Sequence, residues 1–561
     1  MIEAPLRDAM LKRISTFRVP FDRTAVRHWP KAVLHSVKTR AVILCLVGLG
    51  QFALADAAFG DDASFDHPAD RVETRRVTGR LMLDYSSLTL TNGGAFDLMS
   101  LHYLQQTNDW LSFGVGAFAP IARGNYGGFY GADATLHAQR RIVGNWFVNA
   151  GLSVGAGAGG SSVSNIRALS GEGLFARAYA GVGYTFRNLS VGVNFSRVAI
   201  AGSQINDSAI SLFVQRPLAF SVGSYADAGS SLSSAEFDAP EQENIISFQF
   251  NNVSQINPTG SYRGNIGVVS AQFTHFLNNR DYTFFGIDIG VSGLQWYNQA
   301  HGGIGRRFSL SPRLSLYGQV GLGSGGWVTD TFDTGPGFII YPKVSLEYLW
   351  SNGIGATLSA GYLYAPFGTS RNWTVGLGLN YHLSRGNREA NDTPSGADYT
   401  LRGVRLNVFG RRTSRIFYNG RESDGLNLIA VQADYALNDH WYLSGQIAAA
   451  TNSFRSYAGY AEGFVGLGWQ SNTSRSGRWQ GYAQLMYGLN DVGVDARHEV
   501  GALLYPAVGL NYHVNNRISV YGQLGATISL GQYTRTNFTN SFENYSLGLG
   551  VTYRFSLPTR S

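Results

Sequence analysis

The feature that most restricts this chain is a long, strict alternation of side chains, clearest in its last segment, Tyr545 to Phe555. Tyr545, Leu547, Leu549, Val551, Tyr553 and Phe555 fall on one face, and Ser546, Gly548, Gly550, Thr552 and Arg554 on the other. Successive side chains of a strand point to opposite faces, so one face is wholly apolar and the other small or polar. The same split recurs in Trp146 to Ala156, Leu174 to Phe186, Leu189 to Ser196 and Trp373 to Leu383. A soluble sandwich also alternates, with its polar face in water. Two features point to the opposite arrangement here. The apolar faces begin or end with aromatic residues, among them Trp146, Phe186, Trp373, Tyr381, Trp441, Trp469, Trp479, Tyr553 and Phe555, as girdles at two membrane interfaces would. The segments also run for about 10 to 14 residues, enough for a tilted strand to cross hydrocarbon, whereas soluble strands average about 5 to 6. The expected fold class is all-β: a transmembrane antiparallel up-and-down β-barrel.

The N-terminal region reads as an export leader. Ala41 to Ala55 is apolar, follows Lys31, Lys38 and Arg40, and ends in Ala53-Leu54-Ala55 and Ala55-Asp56-Ala57. A basic region, a short apolar core and a small-residue exit describe a secretory signal peptide, here residues 1–57 with an extended basic region. An anchoring helix would need about 20 apolar residues. Most of the formal net charge of +7 belongs to this leader. Nine of the 44 basic and three of the 37 acidic residues precede Asp56, leaving 35 and 34. That balance gives no support for a nucleic-acid partner. The single cysteine, Cys45, lies in the leader core, so disulfides and thiolate metal sites are excluded from the rest.

Short connections rich in Asn, Gly and Pro recur at Thr107-Asn108-Asp109, Val143-Gly144-Asn145, Arg187-Asn188, Asn278-Asn279-Arg280, Ser311-Pro312-Arg313, Ser351-Asn352-Gly353, Asn438-Asp439 and Asn515-Asn516-Arg517. These residues suit tight turns: Asn and Gly tolerate positive φ, and Pro fixes it negative. Longer connections alternate with them, at 158–172, 325–336, 412–424 and 530–540. Outer-membrane barrels place short turns in the periplasm and long loops outside.

An internal repeat is visible. Tyr341-Pro342-x-Val344-x-Leu346-x-Tyr348 matches Tyr505-Pro506-x-Val508-x-Leu510-x-Tyr512, with a weaker counterpart in Ala180, Val182 and Tyr184. Asp-x-Pro leaders stand at Asp66-His67-Pro68, Asp238-Ala239-Pro240 and Asp392-Thr393-Pro394. The expected organisation is a barrel unit over 58–220, a linker and unit over 221–385, and a linker and unit over 386–561, with about eight strands each and about 24 in all. Two architectures satisfy this: three tandem small barrels, or one wide barrel. Inward positions such as Ser315, Tyr317, Gln319, Ser519, Tyr521 and Gln523 are mid-sized and uncharged, which suits a narrow barrel filled by its own side chains. A wide barrel would need a plug, and no segment is long enough to be one. Both points favour the tandem arrangement.

Charges expected to face inward are few: Arg177, Asp288, Lys343, Glu347, Asp434 and Glu462, with Glu499 beside them. Buried charge needs partners, so these residues either form a network that holds the interior or line a constriction that selects solutes. Asp495, Arg497, His498 and Glu499 gather where a strand leaves the membrane, a conceivable rim site for a hydrolase. Asp330 and Asp333 fall short of a calcium shell, and no zinc ligand set or other cofactor site is visible. Gly155-x-Gly157-x-x-Gly160 and Gly321-x-Gly323-x-x-Gly326 match a dinucleotide fingerprint in letters only, since no helix is expected after either.

Gly550-x-x-Tyr553-x-Phe555 resembles the C-terminal signal that the barrel assembly machinery reads on outer-membrane proteins. It departs from that pattern in the six residues that follow Phe555, and Gly181-x-x-Tyr184-x-Phe186 and Gly378-x-x-Tyr381-x-Leu383 match it internally. The units resemble small outer-membrane barrels of the opacity type. That resemblance implies export to a Gram-negative outer membrane, with membrane lipid and the assembly machinery as partners. The expected function is non-enzymatic: structural or surface-related, or passage of a small solute. The alternatives are a wide barrel sheathing an exported polymer or partner protein, and a rim enzyme.

Overall fold

The computed structural model describes residues 72, 74–159, 169–233, 243–259, 262–294, 297–326, 332–350, 353–384, 398–418, 421–455, 458–474, 476–494, 497–533, 538–539 and 542–560. The leader, Cys45 and the three Asp-x-Pro motifs lie outside the described residues.

The first set of strands is β1 (Thr74–Thr89), β2 (Ala95–Gln106), β3 (Leu111–Ala119), β4 (Phe129–Val143), β5 (Trp146–Gly159), β6 (Leu174–Phe186), β7 (Leu189–Ile200) and β8 (Asn206–Gly223), followed by the short β9 (Ser231–Ser233). Next come β10 (Asn244–Gln255), β11 (Ile266–Phe276), β12 (Asp281–Ser292), β13 (Asn298–Ser309), β14 (Leu314–Gly325), β15 (Phe338–Leu349), β16 (Ile354–Tyr364) and β17 (Arg371–Ser384). The last are β18 (Asp398–Thr413), the short β19 (Ile416–Tyr418) and β20 (Arg421–Ser423), β21 (Asn427–Ala436), β22 (Trp441–Ala450), β23 (Ala461–Gln470), β24 (Trp479–Val494), β25 (Arg497–His513), β26 (Ile518–Tyr533), the short β27 (Phe538–Thr539) and β28 (Phe542–Arg560).

Neighbouring long strands pair antiparallel, and the ladders close at eight. β10 returns to β17, with Phe250 opposite Leu377, to close one barrel. β8 returns to β1, with Val214 opposite Leu83. β18 pairs with β21 on one side and β28 on the other. A single ladder through all the strands would pair β10 with the preceding long strand instead, so the β10–β17 pairing is incompatible with one wide barrel. In the tight turns Gly144 and Gly353 take positive φ as expected, whereas Asn108, Asn278, Asn438 and Asn515 do not and instead accept backbone N–H bonds through Oδ1. In the Arg187-Asn188 hairpin it is Arg187, not Asn188, that takes positive φ, at 49°, because the twist of a two-residue hairpin imposes it.

Burial is inverted relative to a soluble protein. On β17, Trp373 and Leu377 are 59% and 68% exposed, while Asn372 and Thr374 are 1% and 2% exposed. The apolar face is the outer surface and the polar face is the core. Among the described residues no helix is long and apolar enough to cross a membrane; crossing by strands is a separate matter, and here each β-ladder satisfies its own backbone. Glycine on one strand admits a ring from the next: a Cβ at Gly151 would overlap the ring of Tyr179, and one at Gly468 the ring of Tyr442.

The barrels touch at both ends. At the loop end, Ser324 Oγ donates to the Pro120 carbonyl at 2.6 Å, and Gly127 N to the Gly335 carbonyl at 3.0 Å. At the turn end, β9 pairs with Asp398 to Thr400 of β18, and Ser556 Oγ donates to the Ser224 carbonyl at 2.8 Å.

Candidate functional site

The polar interiors are where the sequence concentrated its unusual residues. The register of each strand sets which side chains enter. On β1, Met82, Asp84 and Ser86 point inward between outward neighbours. On β6, Arg177 and Tyr179 do the same. Arg177 ion-pairs with Asp84 at 2.7 Å, lies 4.9 Å over the Tyr179 ring, and donates to Ser196 and Ser211. Beside it, His102 Nε2 sits 2.9 Å from Asp133, whose carboxylate also accepts from Thr135 Oγ1 at 2.7 Å.

The middle barrel holds the densest network. Glu347 is fully buried and accepts from Tyr317 Oη at 2.6 Å and Asn380 Nδ2 at 2.7 Å. His382 bridges two carboxylates, with Nε2 2.8 Å from Glu347 Oε1 and Nδ1 2.6 Å from Glu243 Oε1. Arg307 completes the group by ion-pairing with Glu243 and lying 4.3 Å over Phe276. Glu243 precedes β10 and His382 lies near the end of β17, so this network clasps the strands that close the barrel. Lys343 faces inward on the same strand as Glu347 but does not meet it. Its ammonium contacts Gln249 Oε1 at 3.3 Å and the face of Tyr341 at 5.7 Å. It borders a cavity of about 20 Å³, lined by Gln249, Gln272, Gln319 and Thr357 among others, which is room for one or two waters. Asp288 is elsewhere in this lumen, bonded to Gln299, with His301 Nδ1 at 3.9 Å.

In the last barrel Arg405 ion-pairs with Asp434 at 3.1 Å and donates to Gln470 at 2.7 Å. Asp434 also accepts from Asn407, Gln432 and Ser444. Arg411 ion-pairs with Glu462, which accepts from Tyr460 Oη at 2.7 Å.

The structure therefore places all six sequence-derived charges inward and buried, each with partners that the sequence reading did not name. Missed were Asp84, His102, Asp133, Glu243, Arg307, His382, Arg405 and Arg411. Strand parity would have found most of them: Asp84 is in phase with Met82 and Ser86, and Arg405, Asn407 and Arg411 share one face of β18.

Apolar clusters cover the lumens. At the loop end of the first barrel, Leu88, Phe96, Phe118, Phe129, Phe175 and Ile200 pack together. Val253, Tyr297, Phe332, Ile339 and Leu363 do so in the middle barrel, and Ile416, Tyr418, Leu428, Phe454 and Phe542 in the last. Tyr282, Phe284, Phe276 and Ile245 cluster at the turn end of the middle barrel. What remains inside, among the described residues, is a stack of side chains.

The other sequence candidates fare as follows. Gly550, Tyr553 and Phe555 lie on β28, and the residues beyond Phe555 prolong that strand, reaching Arg560 opposite Tyr399. Asp495, Asp330, Gly160 and the side chains of Arg497, His498 and Glu499 lie outside the described residues. Asp333 accepts from Gly335 N, Thr369 N and Thr369 Oγ1. Gly321 and Gly323 are mid-strand in β14, followed by a loop and another strand. No group of three potential metal ligands occurs among the described residues.

No family model matches the chain, and no curated protein matches it. Among solved structures it is similar to OpdQ of Pseudomonas aeruginosa, at 10% identity over 86% of this chain and 99% of that one, with a TM-score of 0.20. It is similar to the outer membrane protein Ail of Yersinia pestis, at 16% identity over 25% of this chain and 99% of that one, with a TM-score of 0.18. It is also similar to a de novo designed transmembrane β-barrel, at 14% identity over 26% and 98%, with a TM-score of 0.19. At these TM-scores the likenesses carry no argument about activity. The chain is an all-β barrel similar to outer-membrane barrel proteins, with no specific family identified.

Proposed function

We propose that the chain is a Gram-negative outer-membrane protein in which three homologous eight-strand barrels, over 58–220, 221–385 and 386–561, cross the bilayer side by side. In this reading its function is structural and surface-related, not catalytic, and its tight turns face the periplasm. The observation that carries it is the inversion of burial: apolar belts outside, and inside them charges held by ion pairs or hydrogen bonds beneath apolar clusters. A pore needs continuous water, and these lumens are occupied by their own side chains. The repeat and the common eight-strand closure support three related units. The assembly machinery would read β28 through Gly550, Tyr553 and Phe555.

Passage of a small solute is the second reading, favoured by the cavity beside Lys343. Both are tested by ion conductance of the purified chain in a planar bilayer. Filled barrels give no stable conductance step. A sustained step whose ion selectivity changes in Lys343→Met would replace the structural reading with the passage reading.

A further inference from the structure

Exposed charge is unevenly distributed on the first barrel. Its turn end carries Arg75, Arg76, Arg140, Arg141, Arg187 and Arg216, all exposed. The acids there, among the described residues, are exposed Asp109 and half-exposed Asp227. None of the six arginines ion-pairs with a carboxylate among the described residues; Arg75 donates to Tyr553 Oη at 3.2 Å. At the turn end of the middle barrel Arg306 is held by Asp281 at 2.7 Å, while Arg280 and Arg313 are exposed without a carboxylate partner among the described residues. The loop end of the first barrel is mixed in sign, with Arg123 and Arg197 alongside Asp207 and Glu172.

The surroundings of these arginines narrow the partner. Arg140 and Arg141 stand opposite Val148 and Phe147 near the end of β4. Ile142, Val143 and Trp146 beyond them are exposed, as are Trp110 and Phe186 on the flanking hairpins. Cation and apolar side chains thus alternate where the outer belt ends. A soluble acidic partner would not call for exposed Ile, Val and Trp among the arginines. The boundary between acyl chains and charged headgroups calls for both.

We propose that the turn end of the first barrel is a contact surface for the phosphate groups of anionic phospholipids, chiefly through Arg140, Arg141 and Arg187. This rests on the membrane reading above. Guanidinium forks match phosphate oxygens bidentately, and each arginine near such a surface is worth about fivefold in lipid affinity at moderate ionic strength.

The test reconstitutes the full chain in phosphatidylcholine vesicles doped with brominated phosphatidylglycerol or, separately, with brominated phosphatidylcholine at the same mole fraction. Tryptophan emission is then followed. The proposal expects stronger quenching by the anionic lipid, abolished in 1 M salt as the Debye length falls to about 3 Å, and a loss of at least about tenfold in relative affinity in Arg140→Gln/Arg141→Gln/Arg187→Gln. Equal quenching by both lipids overturns it while leaving the membrane reading intact. Selectivity that survives the triple substitution also overturns it. No quenching by either lipid overturns the membrane reading, and this proposal with it.

Discussion

Replacing Glu347 with Ala tests the idea that the lumen charges hold the barrel together. Three donors converge on this carboxylate: Tyr317 Oη, Asn380 Nδ2 and His382 Nε2, at 2.6, 2.7 and 2.8 Å. Alanine leaves all three without their acceptor in a buried site. A buried donor left unpaired costs about 1–3 kcal/mol, and removing one partner from a buried ionic network costs about 3–5 kcal/mol. We take the latter range for Glu347→Ala. Glu347→Gln keeps the shape and one acceptor oxygen, and should cost about 1–2 kcal/mol. Hydrogen exchange of the reconstituted chain under mild denaturant reads this directly. Amides of β10 to β17 should exchange between about a hundredfold and several thousandfold faster in Glu347→Ala, while those of β1 to β8 stay unchanged. Exchange in β10 to β17 equal to that of the parent would refute the reasoning, because a selectivity-only residue can be removed without loosening the wall.

Two further predictions follow from the other barrels. Arg411→Met should destabilise the last barrel by about 3–5 kcal/mol, because Glu462 is left buried with Tyr460 as its remaining partner, whereas the double change Arg411→Met/Glu462→Leu should recover most of that loss; exchange of β18 and β23 amides measures both. Gly151→Val places a side chain where the Tyr179 ring lies and should cost about 1–3 kcal/mol, seen as faster exchange in β5 and β6 while β10 to β17 are unaffected.

Strand identity was legible because alternation is a local signal. In β17 and β28 every second residue tells which way it faces, and the structure keeps those faces. The inward side of Ser315, Tyr317 and Gln319 could be read for the same reason. Closure could not be read this way, since β10 pairs with β17 through residues more than a hundred positions apart in sequence, such as Phe250 and Leu377, and every hairpin resembles the next. Partners within the lumens were lost in the same way. Arg177 was singled out because charge is rare on an inward face, but nothing near it in sequence names Asp84. Lys343 and Glu347, four residues apart on one face, suggest a joint site; strand stagger instead delivers one to Gln249 and the other to His382. Loop tips were least legible, as the β19–β20 hairpin inside the connection after β18 shows, because its short strands lack the length over which alternation can be counted.

The most direct test of the account is a cysteine pair at Phe250→Cys and Leu377→Cys. Both side chains face outward and stand opposite each other across the β10–β17 closure. Opposed residues of an antiparallel ladder have Cα atoms about 4.5–5.5 Å apart, within disulfide reach, and the only native cysteine of the sequence is Cys45. Separately closed eight-strand barrels predict near-complete crosslinking of the membrane-inserted protein under mild oxidation, with Leu83→Cys/Val214→Cys behaving alike across β1 and β8. Failure of both pairs to crosslink in protein that is inserted and folded would contradict separate closure and return one wide barrel as the explanation.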